Sequence, residues 1–199
     1  MEKSFCHRVI RRFCGERDGS VMVETVITLP LLVWALVATW EFFEVHRYRS
    51  AREKATYTIA DLISREQGIE DVYIDNAMSL FDGISNDNGN NQLRISVVVF
   101  ETNDPDDAND NEYWIRWSEV RGNGGFTALT TNDVRNSFDT LPIMNDGEDL
   151  ILVEAASTYQ PVFNVGLSGN VQIDTRLFTK PRFTEQLCYE AQSCYQAPS

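Results

Sequence analysis

Glu24 is the only ionisable side chain between Gly19 and Glu41 of this 199-residue chain. It stands five positions after Gly19, near the start of a long apolar run. A carboxylate there is costly, so it points to a partner such as an amine or a neighbouring chain. The cysteines form a second set: Cys6 and Cys14 near the N-terminus, Cys188 and Cys194 near the C-terminus. Cys188 and Cys194 are each other's default partner for a short disulfide loop. Zinc is the alternative, and it lacks ligands, because His7 and His46 lie far away in sequence.

A third set is the loop 103–112, where Asp104, Asp106, Asp107, Asp110 and Glu112 concentrate carboxylates. Calcium takes about six to eight oxygens in a flexible cage. The spacing does not fit an EF-hand and the turn glycine is missing. A solvated hairpin loop is therefore expected, with calcium as the weaker alternative and no other metal. Nucleophilic catalysis has little to work with. Neither His7 nor His46 is placed to reach a nucleophile in the C-terminal part, and no phosphate-cradling glycine loop or metalloprotease motif occurs. Neither a catalytic role nor a cofactor is expected.

The elements that must carry these residues begin with the apolar run 21–40, broken only by Glu24, Thr25, Thr28 and Thr39. At about 1.5 Å per residue it reaches roughly 30 Å, the thickness of a bilayer's hydrocarbon core. Trp40 falls where an interfacial aromatic belt would lie. Pro30, near the middle, removes one backbone hydrogen bond and predicts a kink that a packed neighbour tolerates. Five Lys/Arg precede the run, and Arg47, Arg49, Arg52 and Lys54 follow it. The slight bias favours a cytoplasmic N-terminus, and the split of the cysteines between two redox compartments agrees. The sequence Ala35-Leu36-Val37-Ala38 has the spacing of a signal-peptidase site. The run is longer than a typical secretory core, however, and such a signal leaves Glu24 unexplained, so a retained anchor is preferred.

Residues 41–66 lack proline and glycine, and Phe42, Val45, Tyr48, Ala55, Ile59, Leu62 and Ile63 roughly follow one apolar helical face. The helix is expected to stop near Gln67-Gly68. A second short helix is predicted over 71–81, with Val72, Ala77, Met78, Leu80 and Phe81 as core contacts. Four strands are predicted over 93–101, 113–120, 150–159 and 171–178, from alternation and β-branched content. Residues 131–138 read as a further short helix. The net charge is −13, with the basic residues partly held in the first 19 positions. An acidic body without a basic patch argues against nucleic acid as a partner.

The stretch Gly19-Ser20-Val21-Met22-Val23-Glu24-Thr25-Val26-Ile27-Thr28-Leu29-Pro30-Leu31-Leu32 resembles the amino-terminal segment of TadE/TadF-type pseudopilins, subunits of the tight-adherence (Flp-type) pilus system. Glu41-Phe42-Phe43 and the later Glu154…Tyr159-Gln160-Pro161 are similar to later parts of that family. The resemblance implies cleavage between Gly19 and Ser20 by a prepilin peptidase at the cytoplasmic membrane face. Gly15 offers no competing site, since the fifth residue after it is Ser20. Cleavage would create an α-amino group at Ser20, which is charged or partly so near neutral pH. Glu24, one helical turn on, can neutralise an amine of its own chain or a neighbour's, which fixes the register between adjacent helices.

The implied organisation is a cytoplasmic prepilin-type leader over 1–19, a transmembrane and extended amphipathic helix over 20–68, and an extracytoplasmic domain over 69–199. The fold class expected is α+β, pilin-like, with helices packed on an antiparallel sheet of about four strands. The implied site is the bacterial inner membrane, with the C-terminal domain periplasmic and the chain open to incorporation into the pilus. Its partners would be the peptidase, the membrane, and other pilin and pseudopilin subunits, in a minor tip or priming role. Asp18 beside Gly19 departs from a purely basic leader. It keeps open an unprocessed single-pass binding or adhesion protein of the cell envelope, similar to TadG.

Overall fold

The computed structural model describes residues 17–86, 91–102, 111–163 and 169–190, with backbone alone at 17–20 and 111. The elements are α1 (Arg17–Ile63), β1 (Gly68–Ile69), α2 (Asp71–Ser85), β2 (Asn91–Thr102), β3 (Asn111–Gly122), α3 (Thr131–Asn136), a 3-10 turn (Phe138–Thr140), β4 (Asp149–Tyr159), β5 (Val171–Thr179) and β6 (Cys188–Tyr189). The chain is mixed helix and sheet, as expected. It divides into two compact units, one comprising Met1–Glu44 with Pro161–Gly169, the other Val45–Gln160 with Asn170–Ser199.

In the first unit α1 is apolar, and residues 21–36 are exposed around its whole circumference. Three of its hydroxyls bond back one turn. Thr25 Oγ1 donates to the Val21 carbonyl at 2.8 Å, Thr28 Oγ1 to Glu24 at 2.8 Å, and Thr39 Oγ1 to Ala35 at 2.7 Å. Such bonds let threonine sit in an apolar setting without an unsatisfied donor. Pro30 lies inside the helix, where its ring cannot donate to the carbonyl four residues earlier.

The second unit is built on a four-stranded antiparallel sheet of order β3-β2-β4-β5. All four predicted strands are present, with ends moved outward by no more than two residues, and α2 runs to Ser85 rather than 81. α1 ends at Ile63, where its last turn tightens: the Arg65 N–H donates to Leu62 and Glu66 to Ile63. α2 stops at Asn86, in the left-handed region at φ 53°, whose N–H caps the Asp82 carbonyl.

One face of the sheet carries the main core. Ala55, Ile59, Ala60 and Ile63 of α1 and Ile74, Ala77 and Phe81 of α2 pack on Leu93, Ile95, Val97, Trp117, Ile151, Val153 and Ala155. The predicted helix faces were right at their centre and wrong at their margin. Phe42 and Val72 are exposed, as are Leu62 and Leu80 to a lesser degree, whereas Ile74, not predicted, is buried.

Two features depart from a plain helix-on-sheet pair. The opposite face of the sheet is also covered, by the segment 126–144. Val134 and Met144 pack there on Val98 and Leu150, with Phe100, Tyr113 and Phe178 around them. β2 and β4 are therefore buried on both faces rather than alternating. The chain after β5 also returns to the helices. β6 pairs in parallel with β1 (Gly68↔Cys188, Ile69↔Tyr189), Leu187 is fully buried, and the Arg182 N–H donates to the Ser64 carbonyl at 2.8 Å. At the far end of β3, Gly122 has φ +87°, and a Cβ there would lie 2.2 Å from the Asn91 carbonyl oxygen. Only glycine fits that turn.

Candidate functional site

The processing, register and kink residues singled out by sequence, Gly19, Ser20, Glu24 and Pro30, fall in one local stretch of α1. The helix already includes Arg17, so Gly19 and Ser20 lie in its first turn, with Glu24 about one turn further on. A peptidase acting there would need that turn to open, and helix ends are where opening is cheapest. Glu24 is exposed on a helix surface otherwise made of Val21, Met22, Val23, Val26 and Ile27, each more than half exposed. Soluble proteins rarely leave so large an apolar surface open to water. α1 is long and apolar enough to cross a membrane.

At the end of the apolar run the environment changes. Trp40, Phe42 and Phe43 are exposed, yet Glu41 between them is only 1 % exposed. His46 lies on the exposed side. Arg52, counted above only as a flanking charge, is 1 % exposed. Its guanidinium stacks on the Tyr48 ring at 2.9 Å and donates to the Tyr48 carbonyl at 3.2 Å. Tyr48 in turn meets Tyr159 edge-on at 4.9 Å.

A buried ion pair in the sheet is one that sequence reasoning missed. A register shift falls at Val97/Val98: Val97 faces Trp117 and Val98 faces Ile115, so Arg116 is the extra residue of a β-bulge. The bulge delivers its guanidinium to Asp149 as a two-pronged pair, at 2.8 and 3.0 Å. The Asp149 side chain is fully buried, and it also accepts the Leu187 N–H at 3.0 Å. The indole N–H of Trp117 donates to the Leu187 carbonyl at 2.8 Å. These four residues lock the returning C-terminal segment to the sheet. No periodicity announces such a bulge.

On the other face Glu154 lies between Arg94 at 2.6 Å and Arg176 at 3.4 Å. Gln92 holds the backbone of Phe126 in both directions, accepting its N–H at 2.7 Å and donating to its carbonyl at 3.0 Å. Arg121 joins Asp71 and Asp75 of α2, Glu119 of β3 and the Tyr189 phenol. Burial lowers the Arg121 pKa, but the bonds to Asp75 and Glu119 outweigh it, and the net shift is upward. Tyr189 is pushed up to about 12 by burial and by its hydrogen bond to Asp71. Tyr73 is pushed up to about 12 by burial and the nearby Glu66. Each charge in these clusters is committed to a structural neighbour, which is what fold-holding networks do.

Among the described residues, no group of three or more His, Cys, Asp or Glu is placed to hold a metal. Asp104, Asp106, Asp107 and Asp110 lie outside the described residues. Glu112, the last of that set, is paired with Arg135 at 3.1 Å. Cys188 is half-buried in β6, while Cys194, Cys6 and Cys14 lie outside the described residues. An apolar groove of about 290 Å³ runs between α1 and α2, lined by Leu62, Ile63, Tyr73, Ala77 and Leu80. Glu66 and Asn76 also line it, so a few polar groups stand on an otherwise apolar wall.

Comparison with family models, curated proteins and solved structures gives no match for this chain.

Proposed function

We propose that this chain is a minor pseudopilin that takes part in assembling a tight-adherence (Flp-type) pilus. In this reading a prepilin peptidase cuts between Gly19 and Ser20, and the mature chain packs through α1 against other pilin and pseudopilin subunits. The observation that carries the reading is the placement of Glu24. It is the single carboxylate on an all-round apolar helix surface, five residues after Gly19. A new α-amino group at Ser20 gives that carboxylate a partner in a low-dielectric setting, where an isolated charge is costly. The folded second unit would lie in the periplasm and act as the head of a tip or priming subunit. Pilin-like is a proposal for its fold, supported by the long helix feeding a four-stranded antiparallel sheet.

A second reading is favoured by one observation, the acidic Asp18 directly before Gly19. It makes the chain an unprocessed, TadG-like envelope anchor with a binding role. Intact mass and N-terminal sequencing of membrane-extracted protein, with and without active prepilin peptidase, separate the two. A product starting at Ser20 only when the peptidase works is the expected result. A full-length chain in both cases supports the anchor, and a start near Thr39 removes both readings.

A further inference from the structure

The first unit contains a second element besides α1. Pro161–Gly169, from the connection between β4 and β5, belongs to it. Connections between strands are ordinarily polar. This one begins Pro161-Val162-Phe163, with Val162 69 % and Phe163 47 % exposed. The Phe163 ring stands edge-on to Trp40, centroids 5.9 Å apart.

That contact fixes the depth of the loop. Trp40 ends the apolar run 21–40, whose helical length of roughly 30 Å matches the hydrocarbon core. The indole therefore marks the level at which acyl chains give way to headgroups. Phe163, one ring away, lies at the same level. The geometry points to a second membrane contact: Val162 and Phe163 enter the interfacial zone of the bilayer beside Trp40.

The occupant is lipid rather than protein because this patch continues, through Trp40, a helix surface exposed on all sides and of membrane-spanning length. Burial of about 5–10 Å into the boundary between headgroups and acyl chains is the usual depth of such contacts. Aromatic rings are favoured at that depth, and Pro161 removes one backbone N–H that would otherwise need a partner there. Isolated exposed apolar residues are ordinary. Two adjacent ones joined to the tryptophan at the membrane exit are not isolated. The inference rests on α1 spanning the membrane and is independent of whether Gly19 is cleaved.

The test uses the full chain in nanodiscs of phosphatidylethanolamine and phosphatidylglycerol. Photoreactive p-benzoylphenylalanine replaces Phe163 in one protein and Leu29, inside the span, in another. Mass spectrometry after irradiation is expected to find lipid adducts at both positions. Adducts at Leu29, with only protein crosslinks or none at 163, would overturn the loop contact and leave the anchor intact. Absence of lipid adducts at Leu29 would overturn the spanning helix and the loop contact with it.

Discussion

Residues 21–36 of α1 are exposed around the whole helix, whereas residues 149–157 of β4 are buried along the whole strand. Both stretches are rich in Val, Leu, Ile and Ala. The difference between them is one of length and of what covers them. Nine strand residues fit under the two layers that sandwich the sheet, one of α1 and α2, the other of the segment 126–144. Among the described residues the apolar helix of some 20 residues has no such cover, and its length matches a bilayer instead. Charges follow the same division. In the apolar run 21–40 of α1 the lone carboxylate, that of Glu24, lies on the exposed helix surface, while Asp149 in the sheet is fully buried against Arg116. The first unit leaves its apolar surface exposed, and the second buries its own.

The largest expected effect lies in the first unit. Gly19→Phe should abolish the product starting at Ser20 without unfolding the second unit, read by intact mass and by hydrogen exchange of β2 and β4. Mature product from this variant would sink the processing reading. Glu24→Val should be cleaved and inserted yet fail to co-purify with pilin subunits. Normal co-assembly would remove its register role.

The second unit should respond to Asp149→Ala with a loss of about 3–5 kcal/mol, because the change breaks a buried ion pair and removes the acceptor of the Leu187 N–H. Denaturant unfolding of the full chain, followed by the fluorescence of Trp114 and Trp117, measures it. The double variant Arg116→Met/Asp149→Leu should recover much of that loss. If it does not, the pair holds Leu187 by more than charge balance.

The two halves of α1 give a direct contrast. Ile59→Ala, in the core, should cost about 2–5 kcal/mol. Ile27→Ala, on the exposed run, should change unfolding of the second unit by less than about 0.5 kcal/mol. Equal effects would mean that the units are not separable. Thr130→Ala should fall between those two effects. Thr130 and Asp133 form a capping box at the start of α3, and its loss should cost about 1 kcal/mol.

The smallest effect is a pH dependence. Tyr73 and Tyr189 have folded pKa values pushed up to about 12 from the ordinary 10. Their neutral forms therefore contribute stability that is complete below pH 10 and is lost as the pH rises through 12. Tyr73→Phe with Tyr189→Phe should flatten the alkaline unfolding curve across that window. An unchanged curve would mean other groups control it.

Much of this was legible in sequence because it is local. Leu93, Ile95 and Val97 alternate with Arg94 and Ser96, and that period names a strand before any partner is known. The candidate site is local too: Gly19, Glu24 and Pro30 sit within a dozen residues. The second layer over the sheet was not legible. Val134 and Met144 reach Val98 and Leu150 from a segment with little regular structure, and irregular segments carry no period. The pairing of β1 with β6 involves two residues on each side, too few for any pattern. Arg52 was read as a flanking charge because sequence gives a residue's type and not its burial.

The sequence by itself determined a helix long enough to cross a bilayer, the single carboxylate at its start, and four strands. These follow from hydrophobic period, length and charge spacing, which act over neighbouring residues. Only the tertiary structure decided that a bulge would set Arg116 against Asp149, that the C-terminal segment would close beneath Trp117, and that Phe163 would stand beside Trp40. Those contacts join residues far apart in the chain. They depend on strand register and loop closure, which short-range preferences do not encode.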